Sequence, residues 1–244
     1  MAVRVGLDAT GRTGKRMISV IFDLDGTLVD SEPNYYESGR RTLERHGVPG
    51  FTWEEHSRFI GIGTLETLEI LKDRYGIPAQ VEQLLAEQNA AYLELARTRT
   101  EVFPQMRKLV ERLRAEGTAM AVASGSSREA IDAVLAGTGL DALLTTVVSA
   151  EEVAHGKPAP DVFLEAARRL GAEPADCVVV EDAAPGATAA HAAGMGCIAV
   201  PYAAEIADDP AFASAGLLFR GGQPEFGADA AYEWLRARSA GRAG

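Results

Sequence analysis

Ile18-Ser19-Val20-Ile21-Phe22-Asp23-Leu24-Asp25-Gly26-Thr27-Leu28 is the stretch whose reading decides the fold. Residues 18–22 form a short, largely apolar run that ends abruptly in acids and a glycine. Such runs suit strands buried on both faces of a parallel sheet, which cannot show the polar alternation of a half-exposed strand. Similar runs recur at 119–123, 145–148, 178–180, 197–200 and 217–219. Between most of them lie helical patterns at 106–116, 128–136, 162–170 and 187–193. Strands alternating with helices of this length predict an α/β fold, a doubly wound parallel sheet.

One interval breaks the alternation. From Asp30 to Phe103 the pattern offers no strand, only amphipathic helices at 35–46, 65–75 and 81–97, the first two closed by Gly47 and Gly76. About seventy residues of helix exceed a normal crossover connection. The expected organisation is an α/β core of residues 17–30 and 104–244 with an inserted helical cap, 31–103. Residues 1–16 hold four basic residues and one acid but no apolar stretch, so they read as a loose extension and not as a secretory signal.

Bulk composition narrows the function. Thirty-five acidic against 24 basic residues give a formal charge of -11, a poor match for a nucleic-acid backbone. No run approaches the roughly 18 apolar residues of a membrane span. Cys177 and Cys197 are too few and too far apart for a disulfide framework or a zinc knuckle. The four histidines, His46, His56, His155 and His191, lack zinc-type spacing and read as incidental. A cytoplasmic monomer acting on a small molecule, with no nucleic-acid or membrane partner, is expected.

Four segments carry chemistry, and three of them close sheet strands. Asp23 and Asp25 follow the first strand, at the sheet edge where open α/β folds bind ligands. With a turn at Gly26, one carboxylate could attack a phosphorus while the other moves the leaving-group proton. At Ala123-Ser124-Gly125-Ser126-Ser127-Arg128-Glu129, the Ser124 hydroxyl and the backbone N–H groups of Gly125 and Ser126 suit phosphate oxygens at a helix start. Ser126 with Glu129 also reads as a plain capping box. In Gly156-Lys157-Pro158-Ala159-Pro160-Asp161, two prolines stiffen the chain that aims Lys157, whose ammonium would offset repulsion between carboxylates and an anionic substrate. Glu181-Asp182 offers hard oxygen ligands for Mg²⁺, or in the blander reading an N-cap at Asp182. Nucleophile, acid/base, hydroxyl, lysine and metal ligands together make a phosphoryl-transfer inventory.

With these four segments in this order, the chain resembles the haloacid dehalogenase-like superfamily, in the subgroup with a helical cap. DLDGTLVDSEP from Asp23, ASGSS around Ser124, GKPAPD around Lys157 and VVVEDAAPGA around Glu181 carry the likeness, which is nearest to the β-phosphoglucomutase and sugar-phosphate phosphatase branch. The resemblance implies attack by Asp23 to give an aspartyl-phosphate, with Asp25 as acid and then base. It implies Mg²⁺ held by Asp23, the main-chain carbonyl of Asp25 and Asp182, with Glu181 close by, while Ser124 and Lys157 hold phosphoryl oxygens. Mutases of the branch place a histidine where this chain has Tyr35, and basic residues where it has Phe59-Ile60-Gly61-Ile62-Gly63-Thr64. Hydrolysis of a small phosphate monoester, a sugar phosphate, is therefore expected over mutase chemistry. Ile60, Gly61, Ile62 and Gly63 would read the substrate, and Arg128 is the remaining candidate for a second anion contact. Asp25 argues against dehalogenation, which needs no proton for an alkoxide. The rivals are a β-phosphoglucomutase-like phosphotransferase and a non-catalytic binding protein on the same fold.

Overall fold

The computed structural model describes residues 18–60 and 62–241; the extension expected at 1–16 lies outside them. Six strands form one parallel sheet: β1 (Ser19–Phe22), β4 (Met120–Ser124), β5 (Thr146–Ser149), β6 (Cys177–Glu181), β7 (Gly196–Ala199) and β8 (Leu217–Leu218), in the spatial order β5-β4-β1-β6-β7-β8. The first strand of the chain is thus central, with Phe22 opposite Val122 on one side and Val180 on the other. From β1 the chain winds toward β4 and β5. From β6 it winds the other way, so β1 and β6 flank the point where the direction of winding reverses. Loops diverge there, and a crevice opens at the carboxyl ends of the strands.

Side-chain alternation explains why the strands read as unbroken apolar runs. Val20, Phe22, Val122, Val178 and Val180 enter one buried cluster, while Ile21, Ala121, Ala123, Val179 and Cys197 enter another on the opposite face. Helices α5 (Pro104–Ala115) and α6 (Arg128–Thr138) cover the first face; α7 (Asp161–Leu170) and α8 (Ala184–Ala192) cover the second. The last helix, α9 (Ala228–Gly241), also packs on the first face through Ala231, Tyr232 and Leu235.

The interval between β1 and α5 is helical, as the periodicity requires: α1 (Glu32–Arg45), the short α2 (Trp53–His56), α3 (Thr64–Tyr75) and α4 (Val81–Arg99). Leu43, Phe51, Phe59, Leu68, Leu71, Ile77 and Leu84 form its own apolar cluster. The expectation that this interval holds no strand is corrected at its ends. Two-residue strands β2 (Val29–Asp30) and β3 (Glu101–Val102) pair antiparallel, a ribbon too short to carry a periodicity. Helix α4 also leans on the sheet layer, since Tyr92 and Ala96 join the first-face cluster. Gly137 of α6 sits so near α4 that a Cβ there would lie 2.7 Å from the Ala96 carbonyl oxygen. Among the described residues no helix is long and apolar enough to cross a membrane.

Leu84 is fully buried in the helical unit. Leu84→Ala should lower unfolding free energy by roughly 2–5 kcal/mol in urea titrations, the usual cost of a core cavity. Amide exchange in α1, α3 and α4 should accelerate more than in β1, β4 and β6.

Candidate active site

Three neighbouring strands deliver their polar ends to one place. Ser124 is the last residue of β4, Asp23 follows β1, and Glu181 closes β6. All three are buried at 1–5% exposure, so each needs a partner inside the protein. Lys157 arrives from the loop between β5 and α7. Its Nζ lies 2.5 Å from Asp23 Oδ1 and 2.8 Å from Glu181 Oε1, and 4.9 Å above the Phe163 ring. Glu181 uses its other oxygen to accept from the Ala183 N–H at 2.6 Å. Gly186 makes room for that carboxylate, because a Cβ there would fall 1.6 Å from Oε1.

Asp182 does not cap α8, whose N-cap is Ala183 without a side-chain bond. Its Oδ1 instead accepts from Thr27 Oγ1 at 2.8 Å. Gly26, at φ +78°, brings the turn against it, and a Cβ there would lie 2.4 Å from Oδ2. Both the left-handed backbone and the close approach require glycine. The Gln223 side chain fixes the same turn by donating to the Gly26 and Thr27 carbonyls at 3.2 and 3.0 Å.

The capping reading of α6 is corrected by one residue. Ser127, not Ser126, is the N-cap and accepts from the Ala130 N–H, while Glu129 pairs with Arg97 at 3.6 Å. This frees the Ser126 hydroxyl to donate to Asp25 Oδ2 at 2.6 Å, with Ser124 Oγ at 3.4 Å from the same oxygen. The Ser126 N–H is not free, because it donates to Ser124 Oγ at 3.0 Å. Arg128 is the second correction. Its guanidinium turns along the helix to Asp132 at 2.9 Å and toward Glu152 at 3.5 Å, half exposed, and does not face the site. A first-turn arginine with an acid four residues on finds that partner more readily than a distant anion.

Asp23, Asp25, Ser124, Gly125, Ser126, Lys157, Glu181 and Asp182 line one cavity of about 620 Å³, together with Ile60, Ile62 and Gly63 from the helical unit. Gly61 lies outside the described residues. The opposite wall holds groups that the sequence left unmarked. Glu32 and His56 pair at 2.9 Å; Thr67, Gln88 and Asn89 add polar ends; Phe51, Phe59 and Leu71 add apolar surface. His56, read as incidental, is buried against the Tyr36 and Trp53 rings and faces this cavity. Tyr92, inside the helical pattern at 81–97, donates to Asp25 Oδ1 at 3.3 Å. Burial and the Asp25 charge push its phenol up, keeping it a donor.

The electrostatics are lopsided. Asp23, Glu181 and Asp182 share one ammonium. Burial, opposed by Lys157 but reinforced by Glu181 and Asp25, leaves Asp23 raised to about 7. Burial, then Glu181 and Asp23, raise Asp182 well above the ordinary range. Burial alone would lower Lys157, yet the charges of Asp23 and Glu181 outweigh it and leave the ammonium raised and firmly protonated. Such an excess of buried carboxylate suits a hard cation. Among the described residues no three His, Cys, Asp or Glu side chains form a metal cage. Mg²⁺ does not need one, because one or two carboxylates with main-chain oxygen, water and phosphate suffice. Asp23 and Asp182 fit that donor set.

The haloacid dehalogenase-like hydrolase profile matches residues 20–200, a span that contains every cavity-lining residue named above. The chain belongs to the haloacid dehalogenase-like hydrolase family. Among its relatives is the bifunctional riboflavin kinase/FMN phosphatase of Arabidopsis thaliana, 34% identical over 185 residues; these cover 75% of this chain but only 48% of that longer protein. The fructose-1-phosphate phosphatase YqaB of Escherichia coli K12 is 34% identical over 199 residues, covering 76% of this chain and 97% of YqaB. A crystal structure of CbbY from Rhodobacter sphaeroides in complex with phosphate superposes with a TM-score of 0.71 at 25% identity, over 84% of this chain and 95% of CbbY. Haloacid dehalogenase-like hydrolases generally use Mg²⁺, in keeping with the cation demand of this site.

Two measurements probe the charge balance. A carboxyl raised from 3.8 to about 7 takes up its proton more readily folded than unfolded. Without divalent cations, unfolding free energy should therefore fall, by roughly a few kcal/mol, as pH climbs from about 4 to about 7; added Mg²⁺ should flatten that slope. Gly186→Ala should displace Glu181 and lower stability by about 1–3 kcal/mol, read from thermal denaturation.

Proposed function

We propose that the protein is a Mg²⁺-dependent phosphatase that hydrolyses a small phosphate monoester, a sugar phosphate, through an aspartyl-phosphate on Asp23. The observation that carries the reading is the convergence of Lys157, Glu181, Asp182, Ser124 and Asp25 on Asp23 in one cavity. In the first step an Asp23 carboxylate oxygen bonds to phosphorus as the ester P–O bond breaks, and Asp25 gives its proton to the departing alkoxide oxygen. In the second, Asp25 takes a proton from water as that water attacks phosphorus, releasing inorganic phosphate and restoring Asp23. Lys157 and Ser124 hold phosphoryl oxygens, and Glu181 holds Lys157 in place. Asp23, the Asp25 carbonyl and Asp182 would hold Mg²⁺, which supplies charge neutralisation for a dianion meeting a carboxylate.

In this reading residues 31–103 act as a cap over a core of 17–30 and 104–244, and the cavity between them admits small esters. Among the described lining residues Lys157 is the one lysine, and there is no arginine. A second phosphate thus lacks a cationic partner, which favours hydrolysis over a mutase cycle through a bisphosphate. Glu32, His56, Thr67, Gln88 and Asn89 supply the hydrogen bonds that a polyhydroxyl leaving group needs. YqaB, by its name a fructose-1-phosphate phosphatase, supports a substrate of this kind.

With p-nitrophenyl phosphate and Mg²⁺, turnover is expected without any sugar bisphosphate, and chelation should abolish it until Mg²⁺ is restored. Asp23→Asn should lower kcat by at least about a thousandfold while thermal denaturation shows a midpoint equal to or above the wild type. Retained turnover in that variant would place the nucleophile elsewhere, and a wild type without Asp23-dependent turnover would leave a binding role.

A further inference from the structure

Asp25 is reached by hydroxyls from both halves of the molecule. On the core side, Ser126 Oγ donates to Oδ2 at 2.6 Å and Ser124 Oγ lies 3.4 Å from the same atom. On the helical side, Tyr92 of α4 donates to Oδ1 at 3.3 Å. Its ring stacks on Tyr35 of α1, with centroids 4.3 Å apart and planes at 24°. The Tyr35 hydroxyl lies 3.4 Å from Ser126 Oγ. Ser126 has a single hydroxyl proton, already directed at Asp25, so Tyr35 is the donor in that contact. Tyr92 is 4% exposed, and its hydroxyl is thereby committed to this one buried neighbourhood.

The two oxygens of Asp25 are therefore not equivalent. Oδ2 is occupied by serine donors, and a proton to be handed to a leaving group must sit on Oδ1, the atom that Tyr92 touches. We infer that Tyr92 is a positioning residue for Asp25: held flat by Tyr35, it sets the direction from which Oδ1 delivers its proton, and it makes that geometry depend on where the helical unit sits. The inference rests on the proposed phosphatase reading, which makes Asp25 the acid.

The test is the leaving-group dependence of Tyr92→Phe, which keeps the ring stack and removes only the hydroxyl. The substrates are p-nitrophenyl phosphate and phenyl phosphate, nearly equal in size. p-Nitrophenolate departs without a proton, whereas phenolate, with a conjugate acid near 10 like that of tyrosine, needs one. The ratio kcat/KM reports only steps through leaving-group departure, so it isolates the acid from the later hydrolysis. In the variant, kcat/KM for phenyl phosphate should fall about tenfold or more, and that for p-nitrophenyl phosphate less than about threefold. The retained p-nitrophenyl phosphate activity shows that the variant is folded. An equal fall for both esters would mean a merely structural role, and no change in either would mean none; both outcomes overturn the inference while leaving the phosphatase reading intact. Wild-type protein that cleaves neither ester through Asp23 would overturn both.

Discussion

The site depends on one buried ammonium placed between two buried carboxylates. Lys157 contacts Asp23 and Glu181 with side chains 12%, 8% and 2% exposed. Removing charges from water is costly, and a buried pair holds together only with close geometry and satisfied hydrogen bonds. Each constraint around it follows from that cost. The Ala183 N–H takes the second Glu181 oxygen, Gly186 leaves the carboxylate its space, and Phe163 offers its ring face to the ammonium. Even so, one cation cannot balance Asp23, Glu181 and Asp182. The remaining negative charge suits the site to a hard divalent cation better than to a lone phosphate dianion.

The parallel sheet is what brings these charges together. Phe22, Val122 and Val180 are laterally aligned, so the residues that follow them emerge at a common rim, at the point where the winding reverses. Segments separated by more than a hundred positions, such as Thr27 and Asp182, then meet without long side chains. An acidic chain of net charge -11 can meet an anion there only where cations are gathered locally, and Lys157 is one of them.

That rim was legible in the residues because buried parallel strands have a strong apolar signature, and the runs at 18–22, 119–123 and 178–180 each ended on a polar group. The helical interval was legible for the same reason, through its periodicity. What escaped has specific physical causes. The β2–β3 ribbon is two residues per strand, below any detectable period. The capping-box spacing selects Ser126, three residues before Glu129; Glu129 pairs with Arg97 instead and the cap falls on Ser127, which decides which hydroxyl reaches Asp25. Arg128 was drawn off by Asp132, a local pairing that competes with any distant anion. His56 and Tyr92 looked like filler because one side of each is: both pack against rings, and only the three-dimensional arrangement shows that their polar atoms face the cavity.

The two walls of the cavity obey different rules. On the sheet side, Asp23, Asp25, Lys157, Glu181 and Asp182 are tied to neighbours by charge or hydrogen bonds, and substitutions there disturb several partners at once. On the helical side, the Glu32–His56 pair, amide and hydroxyl ends and aromatic surface meet a ligand one contact at a time, so changes there can alter which ester fits without dismantling the charge cluster. Helix α4 joins the two regimes. Its Leu84 end packs in the helical cluster, while Tyr92 and Ala96 pack in that of the sheet, and it is from the second end that a hydroxyl reaches Asp25. A helix with one end in each apolar cluster ties the position of the helical unit to Asp25 more stiffly than a loop would.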